Sequence, residues 1–164
     1  LTLPPLHPLI VHAPIALVIL SLVFELAGRA LDSAWWRKAA LALLVIGVVG
    51  AIAAVITGNE AGEHAEHQGV PEQVVDQHGD AGRVTMWFGL GALLAYAIAT
   101  RAGRARGAVA LLALGLQVMA AISVGIAGYR GGRMVYEHGA GVRVRGQLVP
   151  SDRPPQPERA RDKD

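Results

Sequence analysis

The chain has 164 residues, of which 52% are hydrophobic and only 17% charged. Soluble domains carry about 25% charged residues, so the deficit points to membrane insertion, and a formal net charge of +2 argues against a nucleic-acid binder. Cysteine is absent, which excludes disulfides, thiolate zinc sites, cysteine-ligated iron–sulfur clusters and covalent c-type haem attachment.

The opening residues lack the charged start, apolar stretch and small-residue cleavage site of a secretory leader, so no removed leader is expected. The segment Leu6-His7-Pro8-Leu9-Ile10-Val11-His12-Ala13-Pro14 runs into the first apolar stretch, residues 9–29, interrupted mainly by His12, Ser21 and Glu25. Pro14 suits the first turn of a helix, where a missing N–H costs nothing. His12 then stands near the helix start, as a metal or haem ligand or as an interfacial residue capping the helix. A short basic connection with Arg29, Arg37 and Lys38 carries Trp35 and Trp36 at interfacial depth.

The second apolar stretch, residues 39–58, contains no charge. Beyond it come Glu60, Glu63, His64, Glu66, His67, Glu72, Asp76, His78 and Asp80, with Arg83 the only basic residue of this connection. On a helix His64 and His67 share a face, and Glu63 lies four residues before His67. That spacing can bind a divalent metal with glutamates orienting the imidazoles, and it is also that of a solvated acidic helix. The third stretch is 84–100, followed by Arg101, Arg104 and Arg106, and the fourth is 108–129, with Gln117 its main polar interruption.

Each stretch is close to the roughly 20 residues that cross a bilayer core. The helices show little of the polar face that a small soluble bundle requires. The expected fold is therefore all-α, an integral-membrane four-helix up-down bundle over residues 1–149 with an outward-facing loop. After His138 the alternation of residues 139–149 suggests a short extended segment or hairpin. The proline- and charge-rich tail, 150–164, is expected to be disordered. Arginine-rich short loops belong in the cytoplasm by the positive-inside rule. Both termini and the acidic connection then face outward, toward the periplasm of a bacterial inner membrane.

All six histidines fall on that outward side. Histidine is the commonest metal and haem ligand at neutral pH, so the segregation is the best functional clue in the chain. His12, His78 and His138 mark the outer ends of spans one, three and four, and their convergence would make one cofactor site, with His7 beside it. Glycines at 47, 50, 58, 89, 91, 115 and 125 allow close helix packing and could also leave room for a flat macrocycle.

The motifs resemble a family of bacterial membrane proteins catalogued as domain of unknown function 2231. The matching stretches are His7-Pro8 with Val11-His12-Ala13-Pro14-Ile15-Ala16-Leu17, and Thr57-Gly58 with Ala61 and Glu63. Then come His78 with Gly82, and Gly131-Gly132 with Val135-Tyr136-Glu137-His138-Gly139-Ala140-Gly141-Val142. Ala13 stands where the family commonly has phenylalanine, and Gly79 where it commonly has glutamate. The resemblance implies a four-helix membrane protein, and fusion of some members to cytochrome c or Rieske-type domains implies electron transfer.

Three functions follow as expectations. The first is an electron-transfer subunit, not an enzyme alone, holding a b-type haem through the outer histidines and exchanging electrons with a quinol or periplasmic cytochrome. The second is a zinc, copper or iron protein in which Glu63, His64 and His67 join the ligand set. The third is a cofactor-free structural subunit of a larger membrane complex.

Overall fold

The computed structural model describes residues 6–144 and 147–148. A one-turn helix α1 (Leu6–Ile10) leads into α2 (His12–Ala30), followed by α3 (Ala34–His67), α4 (Glu72–Ala99), a 3-10 turn (Gly103–Ala105) and α5 (Arg106–His138). Four helical runs are long and apolar enough to cross a membrane: Leu6–Ala30, Ala34–His67, Glu72–Ala99 and Gly103–His138. The expected tail, from residue 150, lies outside the described residues. In the segment whose alternation suggested an extended form, Arg143 pairs with Leu148 and Val144 with Gln147 in a two-residue antiparallel ladder.

Contacts between neighbouring helices run in opposite register. Val18 packs on Gly47 and Pro14 on Gly50, Val48 on Gly89, and Leu116 on Gly91. α5 closes on α2 through Gln117 to Ser21 (2.9 Å) and Arg29 to the Ala110 carbonyl (3.2 Å). Consecutive helices are therefore antiparallel, and the bundle closes on itself. The seams are built from small side chains, with Ala40, Ala92, Ala113 and Ala120 fully buried beside Leu44, Val18 and Val48. In lipid, close backbone approach substitutes for the hydrophobic drive that holds a soluble core together.

Gly89 shows how tight that approach is. A Cβ there would stand 2.6 Å from Cγ2 of Val48, itself buried against Leu44 and Ala92. Gly89→Ala should lower stability by about 1–3 kcal/mol through overpacking, seen as a drop in thermal midpoint in detergent. Gly115→Ala, where a Cβ meets nothing within 4 Å, should be neutral or mildly stabilising because alanine has the higher helix propensity.

The acidic connection between spans two and three differs from the loop expected. α3 runs on to His67 and α4 begins at Glu72, leaving only residues 68–71 outside helix. Alanine and glutamate dominate residues 60–66 and are strong helix formers. Gly69, at φ 92°, terminates α3. Its N–H donates to the Glu66 carbonyl (2.8 Å) and that of Val70 to the Ala65 carbonyl (3.1 Å), a Schellman termination. Val70 and Ala65 bury together with Met134 in a satellite core. At about 1.5 Å per residue the 34-residue α3 is roughly 51 Å long, well beyond a ~30 Å hydrocarbon core. Trp35 and Trp36 mark its arginine-bearing end, so the excess length projects from the histidine-bearing end.

Polar side chains also line the interior. The Gln117 amide accepts from the Tyr96 hydroxyl (2.9 Å) and donates to Ser21 Oγ (2.9 Å), whose own proton goes to the Val18 carbonyl (2.7 Å). Thr85 donates to Ser123 (3.0 Å). Buried Glu25 accepts from Arg29 at 2.8 Å. In sequence these residues are interruptions of apolar runs; in the fold they face one another, which satisfies groups that lipid could not.

Candidate functional site

Two imidazoles meet at the histidine-bearing end. His7, on α1, turns toward α3, where its Nδ1 lies 3.0 Å from the Ala54 carbonyl oxygen and 3.3 Å from Thr57 Oγ1. His78, on α4, turns toward α5 and places its Nδ1 3.0 Å from the Ala127 carbonyl oxygen. A carbonyl can only accept, so Nδ1 carries the proton in both rings and Nε2 keeps its lone pair free. This arrangement orients a ligating imidazole in many metal sites, the backbone carbonyl fixing tautomer and ring angle. The ring centroids are 5.9 Å apart and the planes nearly perpendicular, at 87°.

Glycine makes the seat for each ring. A Cβ on Gly58 would lie 3.1 Å from Cε1 of His7, and one on Gly131 would lie 3.0 Å from Cε1 of His78. Each imidazole therefore rests against the backbone of the helix that accepts its proton. α1 and α2 form an almost unbroken run, with the Val11 N–H donating to the His7 carbonyl and that of Ile15 to Val11. The aligned register of α2 against α3 then carries His7 to Gly58, about two turns past the Pro14–Gly50 contact.

The pair borders a cavity of about 750 Å³ between the helix ends. Pro14, Ile15, Ala51, Val124, Ala127 and Gly128 give it apolar walls, and His12, Glu63, His64, Glu66, Asp76 and Arg83 are among its ionisable lining residues. Cofactor sites commonly have this form, at roughly 300–1,000 Å³, largely apolar with a few convergent polar groups.

The structure thus brings together His7 and His78 rather than the trio His12, His78 and His138. His12 lines the cavity but is exposed. Five residues after His7, it points about 140° away on a helix of 3.6 residues per turn. His138 is half-buried at the end of α5 and does not line the cavity. It follows the Gly131 seat by seven residues, on the same face but roughly 10 Å farther along the axis. His64 lines the cavity with its Nδ1 2.7 Å from the Glu60 carbonyl of its own helix, and exposed Glu63 lines it too. His67 is exposed and lies outside the lining. Among the described residues no three His, Asp, Glu or Cys side chains gather tightly enough to hold a metal ion. Glu63, His64 and His67 do not form such a group: His64 turns its Nδ1 to the Glu60 carbonyl of its own helix, and His67 lies outside the cavity lining.

Sequence reasoning had not singled out Gly58 and Gly131 as ring seats, although both belong to the matched motifs. The signal was the recurrence of glycine opposite a histidine at equal depth, which becomes visible only once the antiparallel register is known.

Fold and site together define a polytopic, four-span membrane protein with a histidine-lined cavity at one end of its bundle. The chain belongs to the family described as a predicted membrane protein (DUF2231), whose model matches residues 3–144. No curated protein and no solved structure matches it.

Proposed function

We propose that this protein is an integral-membrane electron carrier that holds one b-type haem in the cavity, with His7 and His78 as its axial ligands. The observation that carries the reading is the pair of imidazoles on separate helices, each with Nδ1 tied to a backbone carbonyl and Nε2 left for a metal. With metal–nitrogen bonds of about 2.0–2.1 Å, two imidazoles on opposite sides of one ion place their ring centroids roughly 6.4 Å apart, about half an ångström more than the 5.9 Å seen here. The size and apolar walls of the cavity favour a porphyrin over a bare ion. Two neutral imidazoles give a six-coordinate, low-spin iron, a centre suited to electron transfer rather than to oxygen chemistry. The substrate is then an electron, exchanged with a quinol in the bilayer, a soluble cytochrome or a larger membrane complex. The protein binds, orients and tunes the cofactor without itself catalysing an organic reaction.

A second reading, a divalent metal without a porphyrin, is favoured by Glu63 and His64 on the same cavity wall. Visible absorption of the purified protein with and without dithionite separates the two. Haem gives a Soret band and sharpened reduced bands; a metal ion gives stoichiometric zinc, copper or iron by elemental analysis and no porphyrin spectrum. Protein made in replete cells with neither would leave a structural subunit as the better reading.

The proposed location is the bacterial inner membrane, with both termini and the histidine-bearing end outward. Arg101, Arg104 and Arg106 against the acidic α3–α4 hairpin support this orientation. A cysteine placed at Gly103 should be shielded from an impermeant thiol reagent in intact cells, and one at Gly69 should label. The reverse pattern would move the histidine cavity to the cytoplasmic side.

A further inference from the structure

A porphyrin carries two propionates as well as an iron, and an apolar cavity needs a cation to receive at least one of them. Arg83 is the only arginine or lysine among the residues lining the cavity. The other described guanidinium groups nearby have partners elsewhere: Arg130 donates to the Gln77 carbonyl (2.7 Å), and Arg133 grips Glu137 through two bonds of 2.8 and 2.6 Å. Arg83 stands five residues after His78, but its side chain folds back along α4. Its Nη1 would be 3.4 Å from a Cβ on Gly79, an ordinary contact distance, so the guanidinium lies against the turn that holds His78. Asp80 fixes one edge of the fork, accepting from Nη2 at 2.6 Å. A guanidinium has five donors, and one carboxylate on Nη2 leaves others to offer.

We propose that Arg83 is the anion-binding end of the cavity and holds a propionate carboxylate of the porphyrin whose iron His78 ligates. The proposal rests on the haem reading. It assigns the cavity a polarity: the apolar face of the macrocycle lies toward Ile15 and Val124, and the carboxylate edge toward Arg83. Glu63, Glu66 and Asp76 on the rest of the rim repel a propionate, so the acid edge has one favourable direction. Asp80 acts as a positioning residue for the guanidinium.

The test uses the full chain as purified in micelles, challenged with excess apomyoglobin as a haem scavenger. Charge-assisted hydrogen bonds contribute about 10- to 100-fold in affinity. Arg83→Gln should therefore release haem about that much faster, while its starting low-spin spectrum matches wild type because both imidazoles remain. Arg83→Lys should be intermediate, and Arg133→Gln should match wild type. Wild-type protein loaded with the dimethyl ester of haem, which lacks carboxylates, should release it as fast as Arg83→Gln releases haem. Equal release from wild type and Arg83→Gln, or equal release of haem and ester from wild type, overturns the role of Arg83 and leaves the haem reading standing; the second outcome also covers a guanidinium engaged by a lipid phosphate. An altered spectrum in Arg83→Gln before any release would assign the residue to the fold and overturn the proposal. Wild type without a Soret band overturns the haem reading and the proposal with it.

Discussion

If the cavity holds haem as proposed, His78→Ala is expected to abolish the low-spin spectrum of the purified protein, whereas His138→Ala and His67→Ala leave it intact. The contrast follows from geometry, since all three are histidines at the same end of the bundle. His78 presents its ring to His7 at 5.9 Å with Nδ1 bonded across to α5, while the other two do not line the cavity. Loss of one of two axial imidazoles opens a coordination position, so residual haem should turn high-spin and bind external ligands. His7→Ala should behave alike. His12→Ala and His64→Ala remove only cavity-lining groups and should weaken retention slightly. Absorption spectra and a pyridine haemochrome count per protein decide the matter. A His7/His78 double variant that keeps a full complement of low-spin haem would sink the ligand assignment. If the occupant is a divalent metal, the same variants should lower metal stoichiometry with no visible band.

The fold was readable because the bilayer imposes simple requirements. Four apolar stretches of about 20 residues, basic short loops and an acidic long one suffice to define four spans. The segment from Asn59 to Arg83 was harder. Its charge marked it as outside the bilayer, but charge alone does not distinguish a loop from the exposed ends of long helices. Its alanine and glutamate content and the Gly69-Val70-Pro71 break carry that distinction. The site was half legible. Histidine segregation points to the end of the molecule that carries the cavity, and His7 and His78 are among the residues it names. Which histidines pair depends on rotation about each helix axis and on register between helices, and both are set by small-residue contacts such as Gly47 on Val18. The inward polar chain Tyr96–Gln117–Ser21 escaped for the same reason: each member lies on a different helix, and only packing makes them neighbours.

Gly131→Ala should damage the site almost as severely as loss of a ligand, and Gly132→Ala should not. The new methyl carbon at 131 would meet His78 at 3.0 Å from Cε1 and 3.3 Å from Nδ1, while at 132 it would meet nothing within 4 Å. At 131 the ring must retreat by a few tenths of an ångström, away from the helix whose Ala127 carbonyl holds its Nδ1. Helix propensity alone would favour alanine at either position, so stability should hold or rise and folding should not confound the result. The damage is to orientation. Disturbing the outer-shell partner of a ligating histidine typically costs about 10- to 100-fold in metal-centre affinity or activity. The expected signature is therefore faster haem loss and a mixed-spin spectrum at an unchanged or higher thermal midpoint. Gly58→Ala should act in the same way on His7, where the approach to Cε1 is 3.1 Å. Valine at either seat should enlarge the effect, because its branches enter the volume that the imidazole occupies. If Gly131→Ala and Gly132→Ala are indistinguishable in spectrum and in haem release, glycine is not the seat of His78, and the positioning derived for the pair fails with it.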